Sequence, residues 1–313
     1  MRDQIKNIEQ AIIATICYFD LFEYPLKKEE IWSWLYSPIR FSYSDFDQAM
    51  ISEKVAKDID SKEGYFFLKG KENLIEIRKD RLAISQKKWQ IAKKGAGILR
   101  YIPFIRLICV CNTLAYDNAK KESDIDFFIV VKNNRLWLTR FLATVLLDLL
   151  RMRRKGKRIQ NKICLSFYVT EKAMNLESLL IKPEDSHFAF WFSQFVPLLN
   201  RENTFEKLVS QNQWIKQYLP NAFQKMKTGL ISDNSCINFF YKIKERVLSG
   251  NLGDWLENYF KKIQKNKMDK NTESVAGEPN TKVVISDDIL KFHETDTRKK
   301  VQEEFERRIS SFL

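Results

Sequence analysis

The sequence predicts an α+β protein, and three observations carry that reading. Near the N terminus apolar residues at helical spacing give way to a short strand and its flanking turns. In the middle, two apolar runs flank a polar excursion between Leu107 and Val131. Beyond about residue 172 the apolar residues return to helical spacing. The chain therefore divides into a helical N-terminal region, 1–72, a central mixed-sheet region, 73–172, and a helical C-terminal region, 173–313. Its 313 residues suffice for two or three domains.

Ile5, Ile8, Ile12, Ile16 and Phe19 recur as on one helix face. Glu23-Tyr24-Pro25 breaks that helix, and Leu26 to Leu35 begins a second. Ser44 precedes a third, with Asp47 at the spacing of a capping box. Lys62-Glu63-Gly64 reads as a turn, Tyr65 to Leu68 as a strand, and Lys69-Gly70-Lys71 as another turn. Three helices followed by a β-wing form a winged helix-turn-helix pattern. The third helix, roughly Asp45 to Val55, carries Lys54 beside Asp45, Asp47 and Glu53 and no arginine for base edges. It fits a protein contact or a structural role better than DNA reading. Residues 72–101 read as a long linking helix with Leu74, Ile77, Leu82, Trp89 and Ala92 turned to a core. Lys87, Lys88, Lys93, Lys94 and Arg100 would form its solvated face.

In the central region Ile108 and Val110, alternating with Cys109 and Cys111, have the look of a buried strand. Phe127 to Val131 is an uninterrupted apolar run, as in a strand covered on both faces. Asp124 and Asp126 lie two apart at its start and project together, about 7 Å from each other. Two carboxylates so placed repel unless a cation separates them, and Mg²⁺ takes one or two carboxylates plus phosphate oxygens. The same pattern also occurs at solvated strand starts. A leucine-rich helix, Arg135 to Arg151, follows, with Asp148 set to pair with Arg151 or Arg153. Arg151 to Arg158 is the densest basic cluster in the chain and contains no acid. Ile163 to Val169 is a third strand.

Helices are then expected over Phe188 to Leu199, Phe205 to Leu219 and Asn238 to Gln264, with Trp191, Trp214 and Trp255 in the core. The polar segment 265–280 is expected to be a mobile loop. Thr297 to Ile309 reads as a charged helix, and His293 just before it reads as a helix cap or a surface residue, with reach to a nucleotide or acceptor as the alternative.

A net charge of +13 favours polyanionic partners: nucleotide phosphates, nucleic acid or an anionic surface. Five cysteines are an odd number without paired spacing; several sit in apolar contexts and read as reduced core residues, and Cys109-x-Cys111 lacks two further ligands for a zinc knuckle. The run Leu136 to Leu150 is too short to span a bilayer and is interrupted by Arg140 and Asp148. The opening residues carry no secretory pattern, so a cytoplasmic location is expected.

The succession Asn112-Thr113-Leu114-Ala115, a polar loop, then Ser123-Asp124-Ile125-Asp126 resembles the polymerase-β-like nucleotidyltransferase superfamily. Arg135 to Arg140, Lys162 to Leu165, and Cys17 to Leu35 resemble a bacterial branch of it with an N-terminal winged helix. The resemblance implies that Asp124 and Asp126 bind Mg²⁺ (or Mn²⁺) and are catalytic. It implies that Asn112, Thr113 and Ser123 hold an NTP, and beside such a site the basic cluster, with Arg154 and Lys157, would bind the triphosphate or a nucleic-acid acceptor, the alternative being a solvated loop. A nucleoside monophosphate would pass to a hydroxyl of an acceptor, which is a small molecule, nucleic acid or protein. Two departures stand out. Asn112 takes the place of glycine at the turn, and the third strand offers Ser166 where the family places a third carboxylate. They open a rival reading, a lapsed member acting as a nucleotide- or nucleic-acid-binding regulatory module.

Overall fold

The computed structural model describes residues 4–224, 227–231, 235–269, 283–292 and 296–312. It is an α+β protein with a small three-stranded antiparallel sheet and a six-stranded mixed sheet.

The N-terminal part runs α1 (Ile8–Asp20), β1 (Leu26–Lys27), α2 (Lys28–Ser33), α3 (Tyr43–Ala49), α4 (Glu53–Asp58), β2 (Ile59–Lys62) and β3 (Tyr65–Leu68). β3 lies between β1 and β2. Glu63 and Gly64 both have positive φ, which lets a two-residue turn match the twist of the β2–β3 hairpin. Two expectations are corrected. The capping box is Ser42 with Asp45, not Ser44 with Asp47. The same spacing occurs twice, two residues apart; the chain uses the first, and Asp47 instead pairs with Lys28. The third helix also ends early, because Ser52 caps a separate turn of helix from Glu53.

α5 (Leu74–Leu99) is the long connector. Its buried face is more polar than expected. Arg78, Arg81, Ser85 and Lys88 point inward, whereas Leu82 is exposed. Gly95 lets α5 lie directly on the sheet, since a Cβ there would stand 2.1 Å from the Ile163 side chain.

β4 (Ile105–Val110) leads through a 3₁₀ turn, Asn112–Leu114, to β5 (Ile125–Val131). α6 (Leu136–Leu149) then crosses over to β6 (Ile163–Thr170). β4 and β5 are antiparallel; β5 and β6 are parallel. Alternation along β4 sends Cys109 to one face of the sheet and Ile108 and Val110 to the other.

The C-terminal part is not purely helical. It contains α7 (Ser186–Ser193), β7 (Val196–Asn200), α8 (Thr204–Gln211), α9 (Ser235–Leu248), α10 (Asn251–Asp269), β8 (Val283–Ile285), β9 (Ile289–Phe292) and α11 (Arg298–Ile309). The sheet order is β7-β4-β5-β6-β9-β8, so both flanks of the sheet come from beyond residue 173. The helix expected over Phe188 to Leu199 stops at Ser193. Pro197 has no N–H to continue it and sits instead on the edge strand β7. The helix expected to Leu219 passes into a 3₁₀ segment at Gln213–Gln217, and that over Asn238 to Gln264 breaks between Leu248 and Asn251. Residues 265–269 of the expected loop are helical; 270–280 lie outside the described residues. Trp191 and Trp214 are buried, but Trp255 is 61% exposed. α10 turns Gly253, Glu257 and Gln264 inward, which leaves Trp255 on its opposite side.

One core joins α1 to α7, α8, α11 and one sheet face; the other lies between the opposite face and α5 and α6. The first and last thirds of the chain thus share a core. No helix of the described residues is long and apolar enough to cross a membrane. Cys17, Cys109, Cys111 and Cys164 are buried free thiols.

Candidate functional site

The site forms where the β4–β5 connection meets the start of β6. Asn112 stands in the left-handed region, φ 57°, at the first residue of the turn. Asparagine tolerates that conformation better than most side chains. The following loop closes on itself, with Asn118 N–H donating to the Thr113 carbonyl at 2.8 Å, and is tied to α5 by Ala119 N–H donating to the Ser85 hydroxyl at 3.1 Å and by Arg81 donating to Asn118 Oδ1 at 3.0 Å.

A second clamp sets the aspartates. Lys88 Nζ donates to the Ser123 carbonyl at 2.7 Å, the Lys121 carbonyl at 3.2 Å and Asn161 Oδ1 at 2.9 Å. Burial lowers the Lys88 pKa, and Asp124 opposes that fall. A residue expected on the solvated face of α5 instead holds the loop that delivers Asp124. Ile125 N–H then joins the Lys162 carbonyl at 2.8 Å, and β5 begins.

Asp124 and Asp126 converge. One donor atom each from Asp124, Asp126 and Cys164 lies within 4.8 Å of the other two. Cys164 faces Asp126 across the parallel β5–β6 ladder. Arg154 donates to Asp124 Oδ2 at 2.7 Å, and Asn112 Nδ2 to Asp126 Oδ2 at 2.7 Å. The other end of Asn112 accepts from Trp191 Nε1 at 2.7 Å. Burial and then the Asp124 charge raise Asp126 to about 7, against the pull of Asn112, Cys164 and Arg154. Burial pushes the Cys164 thiol up to about 12, so it is protonated at neutral pH.

These groups line a cavity of about 560 Å³. Of the residues expected at the site, Asn112, Thr113, Ser123, Asp124, Asp126 and Arg154 are all on its wall, and Ser166 with them. Lys157 is exposed and stays outside it. Asp148 is occupied as expected, in a two-pronged pair with Arg153 at 2.8 Å. His293 lies outside the described residues.

Sequence reasoning missed Cys164, which stands beside the aspartates two residues before Ser166, the position where a third carboxylate was sought. The signal was present: Cys164 and Ser166 are two apart on one strand and share a face. It also missed the opposite wall. His187 lines the cavity and accepts from or donates to the Tyr18 hydroxyl through Nδ1 at 2.7 Å. Burial, then Arg298, lowers His187 to about 4, which makes it a neutral and weakly basic imidazole. Lys291, Asp296 and Arg298 supply buried charges to the same wall. Asp296 lies 3.3 Å from Lys291 Nζ and 2.7 Å from the Arg298 guanidinium.

The donor set suits a hard divalent cation. Two carboxylate oxygen donors meet at one point, and oxygen donors of that kind are what Mg²⁺ or Mn²⁺ takes. No family model, curated protein or solved structure matches this chain.

Proposed function

We propose that the chain is a nucleotidyltransferase of the polymerase-β-like kind, with an N-terminal winged helix. It would move a nucleoside monophosphate from an NTP to a hydroxyl of an acceptor. The observation that carries this reading is the convergence of Asp124 and Asp126 on the wall of a roomy cavity, beside a left-handed turn.

Asp124 and Asp126 would hold Mg²⁺ or Mn²⁺. A divalent cation there supplies charge neutralisation for a triphosphate and lowers the pKa of a hydroxyl. Thr113 and the turn it belongs to face the same space and suit phosphate oxygens. Arg154, already on Asp124, adds positive charge at the edge of the pair. Catalysis of this kind rests on positioning and charge neutralisation, with attack on the α-phosphorus in line with departing pyrophosphate. His187 is too weak a base at about 4 to take the acceptor proton at neutral pH.

A second reading has its own observation. Asn112 spends both ends of its amide on Asp126 and Trp191, and no third carboxylate joins the aspartate pair among the described residues. A lapsed enzyme that binds nucleotide or nucleic acid as a regulator would tolerate both. Incubation with each labelled NTP, Mg²⁺ and cell extract separates the two. A labelled product lost in Asp124→Ala supports transfer; NTP binding without any product supports the regulator.

A further inference from the structure

A second chamber of about 360 Å³ adjoins the first, and Arg154, Cys164, Ser166 and Phe292 belong to the walls of both. Arg140 and Arg153 complete its charged lining, and no carboxylate is among its lining residues. The three guanidinium groups are not equivalent. Arg153 is neutralised by Asp148 and Arg154 by Asp124. Arg140 has no carboxylate partner among the described residues. It donates to the Gln264 side chain and stacks 4.9 Å over the Phe292 ring. Its Nε is buried without a hydrogen-bond partner, and so is the hydroxyl of Tyr168 on β6. Burial, with Arg153 adding to it, lowers the Arg140 pKa. A buried cation without a counter-charge costs stability, and an oxyanion in the chamber would relieve that cost.

We propose that this chamber binds the phosphate or carboxylate group of an anionic acceptor. The acceptor role rests on the nucleotidyltransferase reading; the anion site rests on Arg140 alone. In-line displacement requires the attacking and leaving oxygens on opposite sides of the α-phosphorus. On that reading a triphosphate at the Asn112–Leu114 turn would take one side of the α-phosphorus and the incoming hydroxyl the other, and the wall shared by the two cavities at Cys164 and Ser166 joins the chamber to the aspartates. Arginine is the side chain best suited to grip a phosphate or carboxylate by two parallel bonds.

The test is calorimetry on the full chain with inorganic phosphate, with Mg²⁺ and NTP, and with both. Phosphate is expected to bind the wild type, and Arg140→Gln to weaken it about tenfold, the scale of one lost charged hydrogen bond. Arg140→Lys should recover part of that loss, which separates charge from a folding defect. NTP affinity should be unaltered in Arg140→Gln, and phosphate should still bind protein saturated with NTP. Phosphate affinity indifferent to Arg140 overturns the anion site. Mutual exclusion of phosphate and NTP overturns the acceptor assignment and makes the chamber a pyrophosphate pocket. Arg140-dependent phosphate binding in a protein that binds no NTP overturns the transferase reading and leaves the anion site standing.

Discussion

Asn112 donates to the Asp126 carboxylate at 2.7 Å, and this bond ties the turn after β4 to the strand that carries the aspartates. The same side chain accepts from Trp191 on α7, so one amide joins the turn, the sheet and the C-terminal helices. An amide at a left-handed turn therefore does what a glycine there cannot: it braces a carboxylate whose pKa burial raises, and it opposes that rise.

That role gives opposite expectations for two substitutions. Asn112→Ala loses both hydrogen bonds and keeps a Cβ at φ 57°, at a combined cost of roughly 2–4 kcal/mol. Asn112→Gly loses the same bonds but removes the backbone penalty and opens space beside Thr113. It should be the milder change in urea unfolding and, on the proposed function, should bind Mg²⁺–NTP at least as tightly as the wild type. Equal destabilisation by both would show that the turn conformation carries no strain.

Asp126 predicts a pH signature. Its carboxyl is raised from 3.8 to about 7 in the folded protein, chiefly by burial. The folded state therefore binds more protons than the unfolded state between about pH 4 and 7, and this group's contribution to stability falls as pH rises through that window. The penalty is absent below the unfolded value and complete above about 7. Asp126→Asn removes it. Melting curves should show the variant more stable than wild type at pH 8 and the difference shrinking toward pH 4, while metal-dependent NTP binding is abolished. A variant that unfolds at pH 8 would show that the aspartate is structural.

Lys88 is expected to matter as a positioning residue. Lys88→Met keeps the length and apolar stem but leaves two carbonyls and an amide oxygen without their donor. The cost should be about 2–3 kcal/mol by urea unfolding. Because the lost bonds hold Ser123, Mg²⁺–NTP affinity should fall more than overall stability explains. Lys87→Met, on the exposed side of the same helix, should change neither.

The fold was legible where local chemistry decides it and illegible where partners far along the chain decide it. The β4–turn–β5 core and its aspartates followed from a strand period of two and a turn-forming asparagine. The ends of the sheet did not. Val196–Asn200, Val283–Ile285 and Ile289–Phe292 are short and follow helical or polar stretches; the first pairs on the edge of β4, the last on the edge of β6, and β8 joins the sheet through β9. Lys88 was misplaced for a related reason: helical periodicity puts it among lysines, and only the loop at 120–123, brought in by tertiary structure, turns that face into a buried one. Cys164 escaped because the search was for a carboxylate and stopped at Ser166, two residues further along the strand, whereas the residue across from Asp126 is Cys164.

The start of α6 offers a last test of long-range dependence. Arg135, at the N-cap position, makes no side-chain cap, so the first amides of the helix need another acceptor. Glu257 supplies it from α10, accepting from Trp137 N–H at 2.9 Å and Leu138 N–H at 2.8 Å. Burial raises the Glu257 pKa while these two bonds lower it, and the net shift is upward. Glu257→Ala should cost about 1–2 kcal/mol, the scale of a lost cap. Glu257→Gln keeps one acceptor oxygen for two amides and should fall between. Because α6 carries Arg140, Glu257→Ala should also loosen hydrogen-exchange protection at residues 137–140 before it affects β5. Unchanged protection there would mean that the helix start is held by the other contacts between the two helices, the Phe141–Phe260 stack at 3.8 Å and the bonds of Gln264 to the Trp137 carbonyl and Arg140.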